Sequence, residues 1–232
     1  MEAWSNEKMK ERGAGRRTMA DGTGFVLDAQ TAALVRVAGA LARGKAPELQ
    51  ARFAAARDAR VPGMWIEELL LQSMLVVGYP LALVAFAAWR VVGGPAPVAG
   101  GAEDLAHANW ESWAARGETA CREVYGRAYH KLLVNLRALH PALEDLVLVD
   151  AYGKVIGRPG LDLKRRELCT VAATAVLGTA DQLHSHLRGA LNTGASGEEI
   201  EAVLGLVEPD LSPEHRDVAR EQWADVRGRK LT

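Results

Sequence analysis

Residues 158–204 read RPGLDLKRRELCTVAATAVLGTADQLHSHLRGALNTGASGEEIEAVL, and this stretch decides the fold. Leu168, Val171, Ala172, Ala175 and Val176 recur at i, i+3, i+4, i+7 and i+8, which is one apolar stripe of a helix. Gly178 ends that run. Thr179 and Gln182 have the T-x-x-Q spacing of a capping box and predict the start of a second helix. Leu183, Leu187, Ala190 and Leu191 repeat the stripe there. Gly194 stands where a helix C-terminal glycine belongs. Ser196 and Glu199 then form a second capping box, opening a third helix through Ile200, Val203 and Leu204. No strand-like alternation interrupts the pattern, so the expected fold class is all-α.

Bulk properties narrow the function. The chain has 232 residues, 49% of them hydrophobic, enough for a packed core. With 28 basic and 29 acidic residues the net charge is -1, which gives no reason to expect nucleic acid or an anionic membrane as partner. Cys121 and Cys169 are far apart and form neither a CxxC nor a disulfide framework, so a reducing cytoplasm is the expected compartment. His184 and His186 lie two apart and point to different sides of a helix, so no metal is expected. Residues 1–27 are polar and lack the apolar core of a signal peptide.

Working outward, residues 28–92 carry Leu34, Val37, Ala38 and Leu41 on one helical face. Leu49, Phe53 and Ala56 follow on the next, after Pro47. The apolar run from Leu69 to Val92 is long enough to raise a membrane span, but Gln72, Ser73 and the Gly78-Tyr79-Pro80 break predict two buried helices meeting there instead. Residues 93–104 are a linker by composition. Residues 105–210 contain a further helical region, with Trp110, Val124, Tyr125, Leu133 and Leu139 among its core candidates, then the central stretch. Within them VDAYGKVIGRPGL (149–161) reads as a glycine-punctuated connection. Residues 211–232 form a terminal helix started by Ser212 and Pro213. Sliding residues 33–70 onto 167–204, an offset of 134, pairs Leu34 with Leu168, Gly44 with Gly178, Leu49 with Leu183 and Glu67 with Glu201. The expectation is a tandem repeat whose first copy, 28–92, has Ala33 and Arg52 where the second has Glu167 and His186.

The segment DLVLVDAYGKVIGRPGLDLKRREL, the glycine-ended helix after it and QLHSHLRGALNTGASGEEIEAVL resemble the carboxymuconolactone decarboxylase family, within the alkylhydroperoxidase D-like superfamily. LLLQSMLVVGYPLALVAFAAWR (69–90) is similar to that family's closing helix pair. The resemblance implies an all-α fold, a homo-oligomer with a trimer expected, and no cofactor. Its redox branch uses a glutamate, a CxxC and a histidine. Glu167 and His186 match the first and last, but Thr179 and Gln182 stand at the cysteine positions, where no thiolate can form.

The decarboxylase branch implies a small carboxylated lactone as substrate, and hence a role in aromatic compound catabolism. Such a site needs a proton donor, a partner for the developing oxyanion and cations for the substrate carboxylates. His186 is the expected proton donor and Glu167 the residue that orients it. Arg158, Lys154 and Arg165 are candidates for substrate carboxylates, and Gln182 and Tyr152 for the pocket lining. His184 and the Lys164–Arg166 run are expected on solvated surface. The competing expectations are a thiol-linked antioxidant protein relying on Cys169, and a non-enzymatic oligomeric scaffold.

Overall fold

The computed structural model describes residues 26–94 and 110–228. The N-terminal stretch up to residue 25 and the linker stretch 95–104 lie outside them. Among the described residues the chain is helical and contains no strand. Three helices come first: α1 (Ala29–Leu41), α2 (Ala46–Asp58) and α3 (Gly63–Val91). Asp28 caps α1 by accepting the Thr31 N–H at 2.7 Å. Then come α4 (Trp110–Tyr125), α5 (Tyr129–Leu139) and a π-type helix over Leu146–Ile156. The central stretch gives α6 (Leu163–Leu177), α7 (Ala180–Asn192) and α8 (Gly197–Val207), and α9 (Pro213–Gly228) ends the described chain.

α3 is one 29-residue element with a break inside it. Gly78 adopts φ 77° and ψ 164°, and Pro80 follows, so two helices meet at an angle. By length and apolarity α3 would pass for a membrane span, but Ile66, Leu70, Ala85 and Trp89 are buried in the protein core. The two halves are less enclosed than the sequence implies, because Leu75, Tyr79 and Leu83 are exposed. Trp110 and Leu139, read as core residues, are also exposed.

The middle of the molecule is the pair α1 and α6, which pack on one another and carry α2 and α8. Leu34, Val37 and Leu41 of α1 join Leu168, Val171 and Ala175 of α6 in one continuous core. A smaller cluster of Cys121, Val124, Tyr129, Leu133, Tyr152 and Ile156 ties α4 to α5 and the π-type helix. Residues 146–156 are therefore helical rather than a connection. Their glycine is a packing device: a Cβ on Gly153 would come within 2.3 Å of the Trp113 carbonyl oxygen, so the two helices touch backbone to backbone.

Several helix bounds recur at the offset of 134. Shifted by it, the bounds of α2 coincide with those of α7, and the starts of α1 and α3 with those of α6 and α8. The correspondence extends into the last helix. The Trp89 indole N–H donates to Glu67 Oε1 at 2.7 Å, and the Trp223 indole N–H to Glu201 Oε1 at 3.1 Å. Arg90 pairs with the same Glu67, and Arg227 with the same Glu201.

Candidate active site

His186 lies on α7, one turn before Gly189, and faces α6. Its Nδ1 lies 2.9 Å from Glu167 Oε2. A carboxylate oxygen only accepts, so Nδ1 carries the hydrogen and Nε2 is the open ring nitrogen. The Glu167 side chain is 2% exposed and the His186 side chain 18%. The carboxylate is thus enclosed while one edge of the imidazole meets solvent.

The carboxylate fits only because residue 189 is glycine. A Cβ there would stand 2.4 Å from Glu167 Oε2 and 2.9 Å from a Val124 methyl. Val124 belongs to α4, which lies across α7 and roofs the pair. Asn192 locks that roof by donating to the Val124 carbonyl oxygen at 2.7 Å. α4 also brings Cys121 and Tyr125 within electrostatic reach of Glu167. Burial first, and then the Glu167 charge, pushes both Cys121 and Tyr125 up to about 12. Tyr152 packs edge-on against Tyr125, with ring centroids 6.3 Å apart. Burial raises Tyr152 as well. Around the carboxylate stand three weak acids held in their neutral forms. Cys121, Val124, Tyr125 and Gly189 were not singled out as site residues from sequence. The first three come from more than 40 residues upstream, and only the shared fold brings them to Glu167.

The three candidate cations each hold a protein carboxylate. Arg158 pairs with Glu68 at 3.1 Å, and both side chains are less than a tenth exposed. Lys154 pairs with Asp150 one helical turn earlier and lies over the Trp113 ring. Arg165 joins Asp162 and Asp28 and stacks on Trp65. Arg166 is not on a solvated face. It is fully buried and bonded to Glu68, Gln72 and the carbonyl oxygens of Leu161 and Arg158. Burial draws its guanidinium downward, and Glu68 opposes that. Arg158, Arg166 and Glu68 form one buried cluster fastening α3 to α6.

Two other residues differ from the sequence reading. Thr179 makes no capping bond. Its hydroxyl donates back to the Thr174 carbonyl oxygen at 3.4 Å, and Gln182 is exposed. The Ser196–Glu199 box, by contrast, is complete. His184 is a partly buried contact to Gln222 and Asp225 on α9. Cys169 is buried in the core, and burial pushes its thiol far above the range where a thiolate forms near neutrality. One cavity lies between α1 and α2, a small one under α3, and another beside α4. Glu167 and His186 line none of them.

Comparison with known proteins fits this unit. Residues 146–221 match the model of the carboxymuconolactone decarboxylase family. The match runs into the first half of α9. Over 83 residues the chain is 32% identical to a 4-carboxymuconolactone decarboxylase of Acinetobacter baylyi, covering 35% of this chain and 62% of that protein. It is 32% identical over 84 residues to peroxisomal protein 2 of Saccharomyces cerevisiae, and 30% over 86 residues to peroxisomal protein 2 of Schizosaccharomyces pombe. These matches take in 36% and 37% of this chain and 30% and 40% of those proteins, so the likeness spans less than two thirds of each relative. The segment that holds Glu167, His186 and Gly189 thus matches the carboxymuconolactone decarboxylase family.

Proposed function

We propose that the Glu167–His186 pair is an acid–base centre that decarboxylates a small carboxylated lactone without a cofactor. The observation that carries this reading is the 2.9 Å contact between an enclosed carboxylate and an imidazole whose other nitrogen is open. In the reaction the bond to the departing CO2 breaks, and its electron pair passes through the ring alkene to the lactone carbonyl as an enolate. His186 takes a proton from solvent on Nε2, and the imidazolium so formed delivers that proton to carbon and returns to the form that carries its hydrogen on Nδ1. Glu167 fixes the tautomer and steadies the charged ring, a contribution of the general acid–base kind worth about 10²–10⁴-fold in rate. Substrate carboxylates would draw on Arg158, Lys154 or Arg165 only by displacing the carboxylates that now hold them. The test is CO2 release from 4-carboxymuconolactone by the wild type and by His186→Gln. The wild type is expected to turn over and the variant to fall by about 10²-fold or more. Equal rates would remove His186 from the chemistry.

A second reading, a non-enzymatic family member, draws on the engaged cations and on the absence of Glu167 and His186 from these cavities. A wild type with no turnover of any carboxylated lactone, and an unaltered fold in His186→Gln, is its expected outcome. The thiol-linked reading loses its support, since both cysteines are buried.

We also propose that residues 29–91 and 163–228 are two copies of one unit. The paired Trp–Glu contacts support this at the offset the helix bounds share. The exposed apolar side chains of Leu75, Tyr79, Leu83 and Val84 on α3 support a homo-oligomer, for which a trimer is the expectation.

A further inference from the structure

The groove between α1 and α2 is a cavity of about 540 Å³, within the range of small-molecule sites. Ala29, Ala32 and Ala33 on α1 face Ala55 and Ala59 on α2, and Ala202 and Leu206 of α8 form the floor. Their spacing, i, i+3, i+4 on one helix and i, i+4 on the other, places the alanines on facing stripes. Small side chains at every facing position leave the volume open. The two arginines of the lining, Arg36 and Arg52, extend the same stripes. Arg52 is steadied by Asp210 at 3.5 Å. Arg36 has no ion pair or hydrogen bond among the described residues.

This groove stands where the other unit holds its acid–base pair. At the offset of 134, Ala33 corresponds to Glu167, Arg52 to His186 and Ala55 to Gly189. There the space is taken by the Glu167 carboxylate and by Val124 of α4. Here no described helix roofs it. An apolar hollow is poorly wetted, so it favours a hydrocarbon over water. A guanidinium beside it favours a carboxylate, which arginine holds through paired hydrogen bonds.

We propose that the α1–α2 groove binds a small amphipathic carboxylate, with its hydrocarbon body along the alanines and its carboxylate at Arg36 and Arg52. The site has no proton donor at the Glu167 and His186 positions, so it is a binding site and not a second catalytic one. The test is calorimetric titration of the full chain with octanoate, and with 1-octanol as the uncharged probe of similar length. Octanoate is expected to bind the wild type at least tenfold more tightly than octanol. Arg36→Gln should weaken octanoate by about tenfold and leave octanol unchanged. Ala55→Trp, at an exposed position, should abolish binding of both probes while circular dichroism and thermal unfolding stay as in the wild type. A wild type that does not bind octanoate, an Arg36→Gln protein that binds it equally well, or an Ala55→Trp protein that still binds both would each overturn the assignment.

Discussion

The two units of this chain, residues 29–91 and 163–228, share a helical frame and differ in what the frame encloses. Both bury a tryptophan whose indole N–H donates to a glutamate 22 residues earlier, and both pair that glutamate with an arginine. Between the first two helices of the second unit lies a carboxylate–imidazole pair under a roof from α4. The corresponding space in the first unit is a hollow walled by alanine with two arginines. The frame is set by large apolar side chains on similar stripes, whereas the proposed chemistry depends on three differences, Glu167 against Ala33, His186 against Arg52 and Gly189 against Ala55. Packing can therefore be alike while the proposed chemistry falls to one unit.

The strongest way to break this comparison is to cut the tie between the units. Glu68→Ala removes the carboxylate that the buried Arg158 and Arg166 share and should cost about 3–5 kcal/mol, read as a lower denaturation midpoint in urea. A loss below about 1 kcal/mol would mean that the cluster fastens nothing.

The next effect separates the two grooves. Gly189→Ala pushes its methyl group into Glu167 Oε2 and should lower the proposed turnover about 10²-fold. The reverse exchange at the matching position, Ala55→Gly, should leave turnover unchanged and cost about 1 kcal/mol for a glycine inside a helix. Similar activity in the two variants would show that residue 189 has no part in positioning Glu167.

Matched losses of the shared contact should be smaller. Trp89→Phe and Trp223→Phe each remove one indole hydrogen bond and should each cost about 1–2 kcal/mol, by thermal unfolding. Trp89 is the more buried, at 2% against 8% exposed, and should lose the more. A negligible cost at either site would show that the two contacts are not equivalent.

The smallest effect tests one backbone position in both units. Gly194 has φ 94° and Arg60, its counterpart, φ 59°. Both N–H groups close a turn, to the Leu191 and Arg57 carbonyl oxygens. A side chain is strained there, so Arg60→Gly should stabilise by about 1 kcal/mol and Gly194→Ala destabilise by a similar amount. Shifts of the same sign in both would contradict the shared turn.

Much of the fold was legible, because the stripes, the Ser196 capping box and the glycine stops are local signals. The pairing of Glu167 with His186 could also be anticipated, since both lie on neighbouring helices of one unit. The arginines were misread because their partner, Glu68, sits about 90 residues away on α3. Residues 149–156 read as a connection because glycine is a helix breaker in isolation, whereas here Gly153 lets two helix backbones meet. Thr179 and Gln182 matched a capping pattern, but Thr179 bonds back to the preceding helix. Side-chain pattern alone does not fix that choice. The roof of the site and the open groove were invisible for one reason. Both depend on whether a distant helix crosses a given face.

The central claim is that Glu167 holds the His186 ring with Nδ1 protonated and Nε2 open. Nitrogen-15 NMR of the imidazole side chains, in the wild type and in Glu167→Ala, measures this directly. A His186 ring that carries its hydrogen on Nδ1 is expected in the wild type, and loss of that tautomer in the variant. A wild-type ring protonated on Nε2, or one unchanged when Glu167 is removed, would contradict it.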